Sequence, residues 1–332
     1  MSFESYDNPI YINVMHGNGI ASIILGFLGM YLIATKTPKI FGSYKYFLFN
    51  ISFWAFIFDF YMTFVYTPRL LFPALVMCPT GLLKTKNNNS VAYAAFWLFL
   101  TFYGCSSIAV LSAFFYRYAT LKRKLDVFLS WKCLFFVGIL HITYEAPTII
   151  LHVFSMLDRD AIDKAVLTQW PNIAPYYTDI SCSASHLEVS SFTLLFMISL
   201  IVAFAIGAPA VIFLAYNSFS ILNEQKSVMS EKTYRMHRQL LITLIFQLLV
   251  PTITLFAPYS IVTAFIIAGA EDFGWLSQTS IILGSLHSTL NTFMMLYFIL
   301  PYRQAVLKIL KLEAWLAEKP TLVHSVTIPS NK

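Results

Sequence analysis

The chain has 332 residues, of which 58% are hydrophobic and only 11% charged. A water-soluble domain of this size needs far more polar surface, so the soluble classes are excluded. The net charge of +6 would raise the question of nucleic acid in a soluble protein, but the basic residues sit in short loops between apolar runs. There they mark membrane orientation, and no nucleic-acid partner is expected.

No Lys, Arg, Asp or Glu occurs between Asp7 and Lys36, Lys86 and Arg117, Glu188 and Glu224, Arg238 and Glu271, or Asp272 and Arg303. Two further apolar stretches carry one acid each, Asp59 and Glu145. About 20 apolar residues cross the hydrocarbon core, and a helix satisfies its own backbone polar groups there. The spacing predicts an all-α, rhodopsin-like bundle of seven transmembrane helices over 16–35, 46–66, 92–116, 130–156, 191–216, 239–268 and 276–300. Together with a short amphipathic helix over 303–316 these form a single domain, 1–316. The remaining residues, 317–332, lack apolar periodicity and are expected to form a disordered cytoplasmic tail.

Ahead of His16 there is neither a basic n-region nor a small-residue cleavage site, so helix one is expected to serve as its own insertion signal. With the N-terminus outside, 17 of the 22 basic residues fall in inner segments. The positive-inside rule therefore predicts an extracellular N-terminus and a cytoplasmic C-terminus in a multi-pass plasma-membrane protein. Asn88-Asn89-Ser90 becomes an outer glycosylation sequon at Asn88, whereas Asn50-Ile51-Ser52 lies at the inner end of helix two. Cys78 and Cys182 fall in the first and second outer loops, on the oxidising side. We expect a disulfide between them; two packed free thiols are the alternative. The second outer loop, with Trp170, Pro171, Pro175, Tyr176 and Tyr177, is the expected lid.

An acid within the bilayer costs about 2.5 to 3.5 kcal/mol on insertion scales unless it is neutralised or partnered. Asp59 reads either as a polar switch cluster with Ser288 and Asn291 or as a protonated side chain bonded to one neighbour. His141 precedes Glu145 by one turn on the same face, which fits a metal site, a relay, a ligand contact or a packing pair; zinc needs more ligands than this. His287 lies among polar residues that either line a wet core or join helices. Pro251 and Pro258 in helix six, with Pro147 and Pro209, each remove a backbone hydrogen bond and provide either a pivot or plain bundle geometry. The aromatics Tyr93, Phe96, Trp97, Tyr259, Phe265 and Trp275 suit an apolar pocket in the outer half of the bundle, or else face lipid. No hydrolase, zinc-protease or phosphate-loop signature is present, so neither an enzyme nor a metal or cofactor is expected.

Several short motifs occur in order along the chain: Thr35-Lys36-Thr37-Pro38-Lys39, Asp59, Pro68 and Pro73 before Gly81, and Phe115-Tyr116-Arg117-Tyr118. They continue with Lys232-Thr233, Gln239, Gln247 and Pro251, then Leu286-His287-Ser288 and Pro301-Tyr302-Arg303. As a set they resemble the nematode serpentine chemoreceptors of class H, and the sister class I shares several. The resemblance implies a rhodopsin-like receptor in the ciliary membrane of chemosensory neurons, signalling through a heterotrimeric G protein. The Asp-Arg-Tyr of familiar rhodopsin-like receptors reads Tyr116-Arg117-Tyr118 here, and Asn-Pro-x-x-Tyr is missing from helix seven. Some restraint other than an acid lock must therefore hold the resting state.

The expected mechanism is a conformational switch. A small odorant or other chemical cue binds between the outer ends of helices three, five, six and seven and favours a displaced inner end of helix six. Tyr116, Arg117, Tyr118, Arg235, His237, Arg238 and Arg303 then face the G protein, with membrane lipid around the bundle. The competing class is a seven-helix ligand-gated cation channel or a transporter. A ring of acids for a filter is absent, and the charge count places the N-terminus opposite to that of seven-helix odorant channels. A membrane enzyme using His141 and Glu145 is the third possibility.

Overall fold

The computed structural model describes residues 9–270 and 273–310. Among the described residues, seven helices are long and apolar enough to cross a membrane: Pro9–Lys36, Tyr44–Tyr66, Asn89–Leu121, Trp131–Ser155, Ser191–Ser227, Glu231–Ile267 and Gly274–Phe298. They are called helix one to helix seven below. Helices one, three, five and six extend past the windows read from hydropathy. Hydropathy measures the thickness of lipid, whereas a helix ends only where its hydrogen-bond ladder stops.

Helix three, running through the bundle, buries residues on all sides, among them Phe99, Leu100, Ala109, Ala113 and Phe114. Helix four is peripheral: its first half, Trp131–Thr143, buries no residue, and Trp131, Phe135 and Ile142 point outward. An apolar face without protein cover is stable in lipid, so this orientation agrees with a membrane-spanning bundle.

Four helices are interrupted, and three of the breaks have visible local causes. Helix two widens into a π turn at Tyr61–Tyr66 and ends at Thr67, whose φ of 42° is left-handed, just before Pro68. Helix four breaks between Trp131–Thr143 and Ala146–Ser155, because Pro147 has no N–H for the carbonyl of Thr143. Helix six carries a π turn at Thr252–Phe256 between Pro251 and Pro258, where each proline removes one rung of the ladder. Helix seven is split into Gly274–Gly284 and His287–Phe298. After it, a short helix covers Leu300–Ile309. It begins ahead of the expected 303–316, and Tyr302 anchors it through a 2.7 Å bond to Thr37 Oγ1. The rest of that expected helix and the tail over 317–332 lie outside the described residues.

One end of the bundle carries a small antiparallel sheet, β1 (Pro68–Leu70), β2 (Leu75–Pro79) and β3 (Ser183–Ser185). The order is β1-β2-β3, with Arg69 opposite Cys78 and Val76 opposite Ala184. A disulfide joins Cys78 to Cys182. These strands were not anticipated, since three to five residues carry too little alternation to stand out. The second loop also contains a helix, Arg159–Gln169, whose N-terminus is capped by Asp158 Oδ1 accepting from Ala161 N at 3.1 Å. Ile162, Val166, Ile173, Tyr176, Leu71 and Val76 give this end its own apolar core.

The sheet is bolted to helix two. The N–H groups of Thr80, Gly81, Leu82 and Leu83 donate to the carbonyls of Tyr66, Phe64 and Val65 at the end of that helix. These are acceptors that a helix end otherwise leaves unpaired. A Cβ at Gly81 would lie 2.5 Å from the Phe64 carbonyl oxygen, so only glycine permits this approach.

Candidate functional site

A cavity of about 170 Å³ lies beneath the sheet. Its roof is Pro68, Leu70, Leu75, Met77, Ser183 and Ser185 from the strands, and its walls include Phe96, Phe99, Leu100 and Tyr103 of helix three. His152 of helix four, Phe196, Met197 and Leu200 of helix five, Tyr259 and Val262 of helix six, and Ser277 and Ser280 of helix seven complete it. Among the described residues, no Asp, Glu, Lys or Arg is in the lining. Such a chamber favours a neutral, mainly apolar occupant.

Of the six aromatics singled out from the sequence, Phe96 and Tyr259 line this cavity. The other four are not in its lining. Tyr93 donates to the Ala184 carbonyl at 3.1 Å and accepts from Arg159 Nη1 at 2.7 Å, so it tethers the second loop. Trp97 donates through Nε1 to His152 Nδ1 at 2.9 Å. Phe265 stacks on Phe273 with ring centroids 4.4 Å apart. Trp275, 59% exposed, faces outward where lipid would lie. His152, Phe99, Tyr103 and Phe196 were missed. The available signal for His152 is the polar stripe Thr148, His152 and Ser155, buried at four- and three-residue spacing on an otherwise apolar helix.

Arg159 gathers the loop above the cavity: besides Tyr93, it donates to the Cys182 carbonyl at 3.0 Å and to Tyr177 Oη at 2.9 Å. Its Nε lies 2.7 Å from Asp163 Oδ1. At the surface of the same loop, Lys86 bonds Asp179 at 2.8 Å and holds that carboxyl below its ordinary range. A second, more polar hollow of about 210 Å³ adjoins, lined by Gln169, Trp170, His186 and Glu188. It shares Leu75, Ser185 and Ile266 with the apolar cavity.

Deeper in the bundle, Asp59 is fully buried. Its Oδ2 accepts from the Ser288 backbone N–H at 2.9 Å and from Ser22 Oγ at 3.3 Å, while Oδ1 lies 3.8 Å from His287 Nδ1. Ser288 sits in the first turn of the second half of helix seven, so the carboxylate caps that half-helix at its electropositive end. Asn18 donates to Ser285 Oγ at 2.7 Å across the break. Asn291 is buried nearby, with its Oδ1 unpartnered and no bond to Asp59.

Glu145 and His141 do not pair. The break in helix four turns Glu145 toward helix three, where Gly104 has no Cβ to block it; an added Cβ would lie 2.6 Å from Glu145 Cγ. His141 meets Asn50 at 3.3 Å instead. Among the described residues no cluster of His, Cys, Asp and Glu could hold a metal ion.

At the end opposite the sheet, Arg117 is buried with its guanidinium 3.4 Å from the centroid of the Tyr44 ring. Tyr116 packs on Tyr44 and Phe47, and Phe47 on Phe128. Arg117 is therefore enclosed rather than presented at a surface. Arg235 and Arg238 are exposed, Arg235 bonded to Glu231 at 2.6 Å, while Tyr118 and Arg303 are half-buried.

Seven spans and a roofed apolar chamber define a multi-pass membrane protein of the seven-helix receptor class. Residues 7–312 match the family described as Serpentine type 7TM GPCR chemoreceptor Srh. The chain belongs to this chemoreceptor family. No curated protein matches it.

Proposed function

We propose that the chain is an odorant-type receptor whose cavity beneath the sheet binds a small molecule and whose opposite end activates a heterotrimeric G protein. The observation that carries the reading is the pairing of a sheet-roofed chamber, with no charged side chain among its described lining residues, with an enclosed Arg117 at the other end of helix three. In this reading the sheet, the disulfide and Asn88 face the exterior, following the charge count, and the C-terminus lies in the cytosol of a sensory cilium. Asn88 is exposed and accepts a glycan.

Helix six links the two ends, because Tyr259 and Val262 line the chamber beyond the π turn at Thr252–Phe256. A ligand that favours one position of this turn shifts the population of the inner end, and a difference of a few kcal/mol in affinity for the two states suffices. Arg117, released from Tyr44, then joins Arg235 and Arg238 as the G-protein contact. The test is nucleotide exchange on a reconstituted G protein driven by wild-type receptor and by Arg117→Ala. Loss of exchange in the variant is expected, and unchanged exchange removes Arg117 from the mechanism.

A further inference from the structure

We infer that the cavity beneath the sheet selects neutral, mainly apolar molecules bearing one hydrogen-bond acceptor of the carbonyl type, and that His152 supplies the donor that reads it. This rests on the chamber being the ligand site.

The argument begins with Trp97. An indole N–H is a donor only, so its 2.9 Å bond to His152 Nδ1 requires that nitrogen to accept. The ring is therefore neutral, with its proton on Nε2. Among the described residues Nε2 has no hydrogen-bond partner, although His152 lines the chamber. Phe96 and Phe196 both pack against the imidazole, at centroid distances of 4.9 and 4.7 Å, and against each other at 6.0 Å. The donor is thus fixed in tautomer and in place.

The competing donors on the wall are already engaged or less fixed. Ser277 and Ser280 direct their protons at the backbone carbonyls of Gly274 and Leu276, at 2.8 and 2.7 Å, and Ser185 shares a 3.0 Å bond with Ser155. The lining also includes Tyr103, Tyr259, Ser183, Ser260 and Thr263, but their hydroxyl protons can rotate, whereas the Nε2 proton of His152 is fixed in the ring plane by the Trp97 bond. With no charged side chain among the described lining residues, a carboxylate or an ammonium group would enter without a counterion and lose its hydration. A ketone, aldehyde or ester loses little and satisfies Nε2–H. Trp97 is a positioning residue, acting through His152.

Purified full-length chain in detergent micelles, titrated with heptan-2-one, n-heptane, heptanoate and heptylamine and followed by thermal unfolding, tests this through the stabilisation that binding confers. Heptan-2-one is expected to bind about three- to tenfold more tightly than heptane, the margin of one neutral hydrogen bond, and the two ions not at all. His152→Phe, which keeps a flat ring against Phe96 and Phe196, should lower the ketone to the heptane level and leave heptane unchanged. His152→Gln, which retains an N–H, should recover part of the margin. Trp97→Phe should weaken the ketone alone, a pattern that general loosening of the fold does not give. A ketone margin that survives both His152→Phe and Trp97→Phe, or binding of heptanoate as tight as that of the ketone, overturns the inference. Equal binding of ketone and heptane overturns the donor role while leaving the chamber as ligand site. No stabilisation by any of the four probes removes the chamber itself, and the inference with it.

Discussion

The Arg117 guanidinium lies over the Tyr44 ring, 3.4 Å from its centroid, joining helix three to helix two at the end away from the sheet. Tyr116 stands before this arginine where familiar rhodopsin-like receptors have an acid, and an aromatic face takes the place of the acid lock. A desolvated contact of this kind contributes about 2 kcal/mol. Removing it with Tyr44→Leu should raise ligand-independent signalling by up to about thirtyfold, the same energy expressed as a population shift. Tyr44→Phe keeps the π face and should stay near wild type. Basal nucleotide exchange that is identical in the leucine and phenylalanine variants would count against a π contact as the restraint.

Asp59 caps a half-helix, and its removal should be felt as a lost cap. Asp59→Ala leaves the Ser288 N–H without its acceptor in a dry interior, at a cost of about 1 to 3 kcal/mol. Asp59→Asn keeps an acceptor and should lose less. Thermal unfolding of the two purified variants reads the difference; equal losses would show that the cap contributes nothing.

The Cys78–Cys182 bond closes a loop with a sequence separation of 104 residues. Cross-links of this kind contribute about 2 to 4 kcal/mol. Cys78→Ser and Cys182→Ser should each lower unfolding temperature and surface expression by similar amounts, and the double variant should be no worse than either. Additive losses would mean that the thiols act separately.

His186 gives the folded loop a pH dependence. Burial holds its imidazole below the ordinary value, against the pull of Glu188, with Nδ1 accepting the Glu188 N–H at 3.2 Å and Nε2 bonded to Gln169 Oε1 at 2.8 Å. The unfolded chain, with a pKa of about 6.5, then binds the proton before the folded one does. Stability contributed here is full above that value and declines as pH falls below it, levelling off once the folded group also protonates. The difference in unfolding temperature between wild type and His186→Gln should therefore shrink from pH 7.5 to pH 5. Asp179, whose carboxyl Lys86 holds low, loses its contribution only at more acid pH, so the two windows separate. A difference that stays constant over this range would rule His186 out as the titrating group.

The seven spans are legible from the sequence because lipid imposes one requirement, an uninterrupted apolar length, that charge placement reveals directly. Asp59 is legible as an interior acid for the same reason. Its partner is not: the break at Ser285 and Leu286 that frees the Ser288 N–H involves no proline, so nothing in the residue string marks it. The cavity wall is legible only in part. Tyr93, Phe96 and Trp97 occupy neighbouring positions on helix three, but a helix buried all round has no polar face to fix its rotation. Only the packed structure shows that Phe96 looks into the chamber while Tyr93 and Trp97 turn toward Arg159 and His152. The pairing of His141 with Glu145 failed because Pro147 breaks the periodicity on which it relied.

The ceiling of the chamber comes from three short strands rather than from the spans. Substitutions at Leu70, Leu75 or Met77 would therefore change which molecules fit without altering the apolar lengths by which the helices insert. A lineage of such receptors would be free to diversify its chemical repertoire through a few loop codons, under little constraint from biogenesis in the membrane.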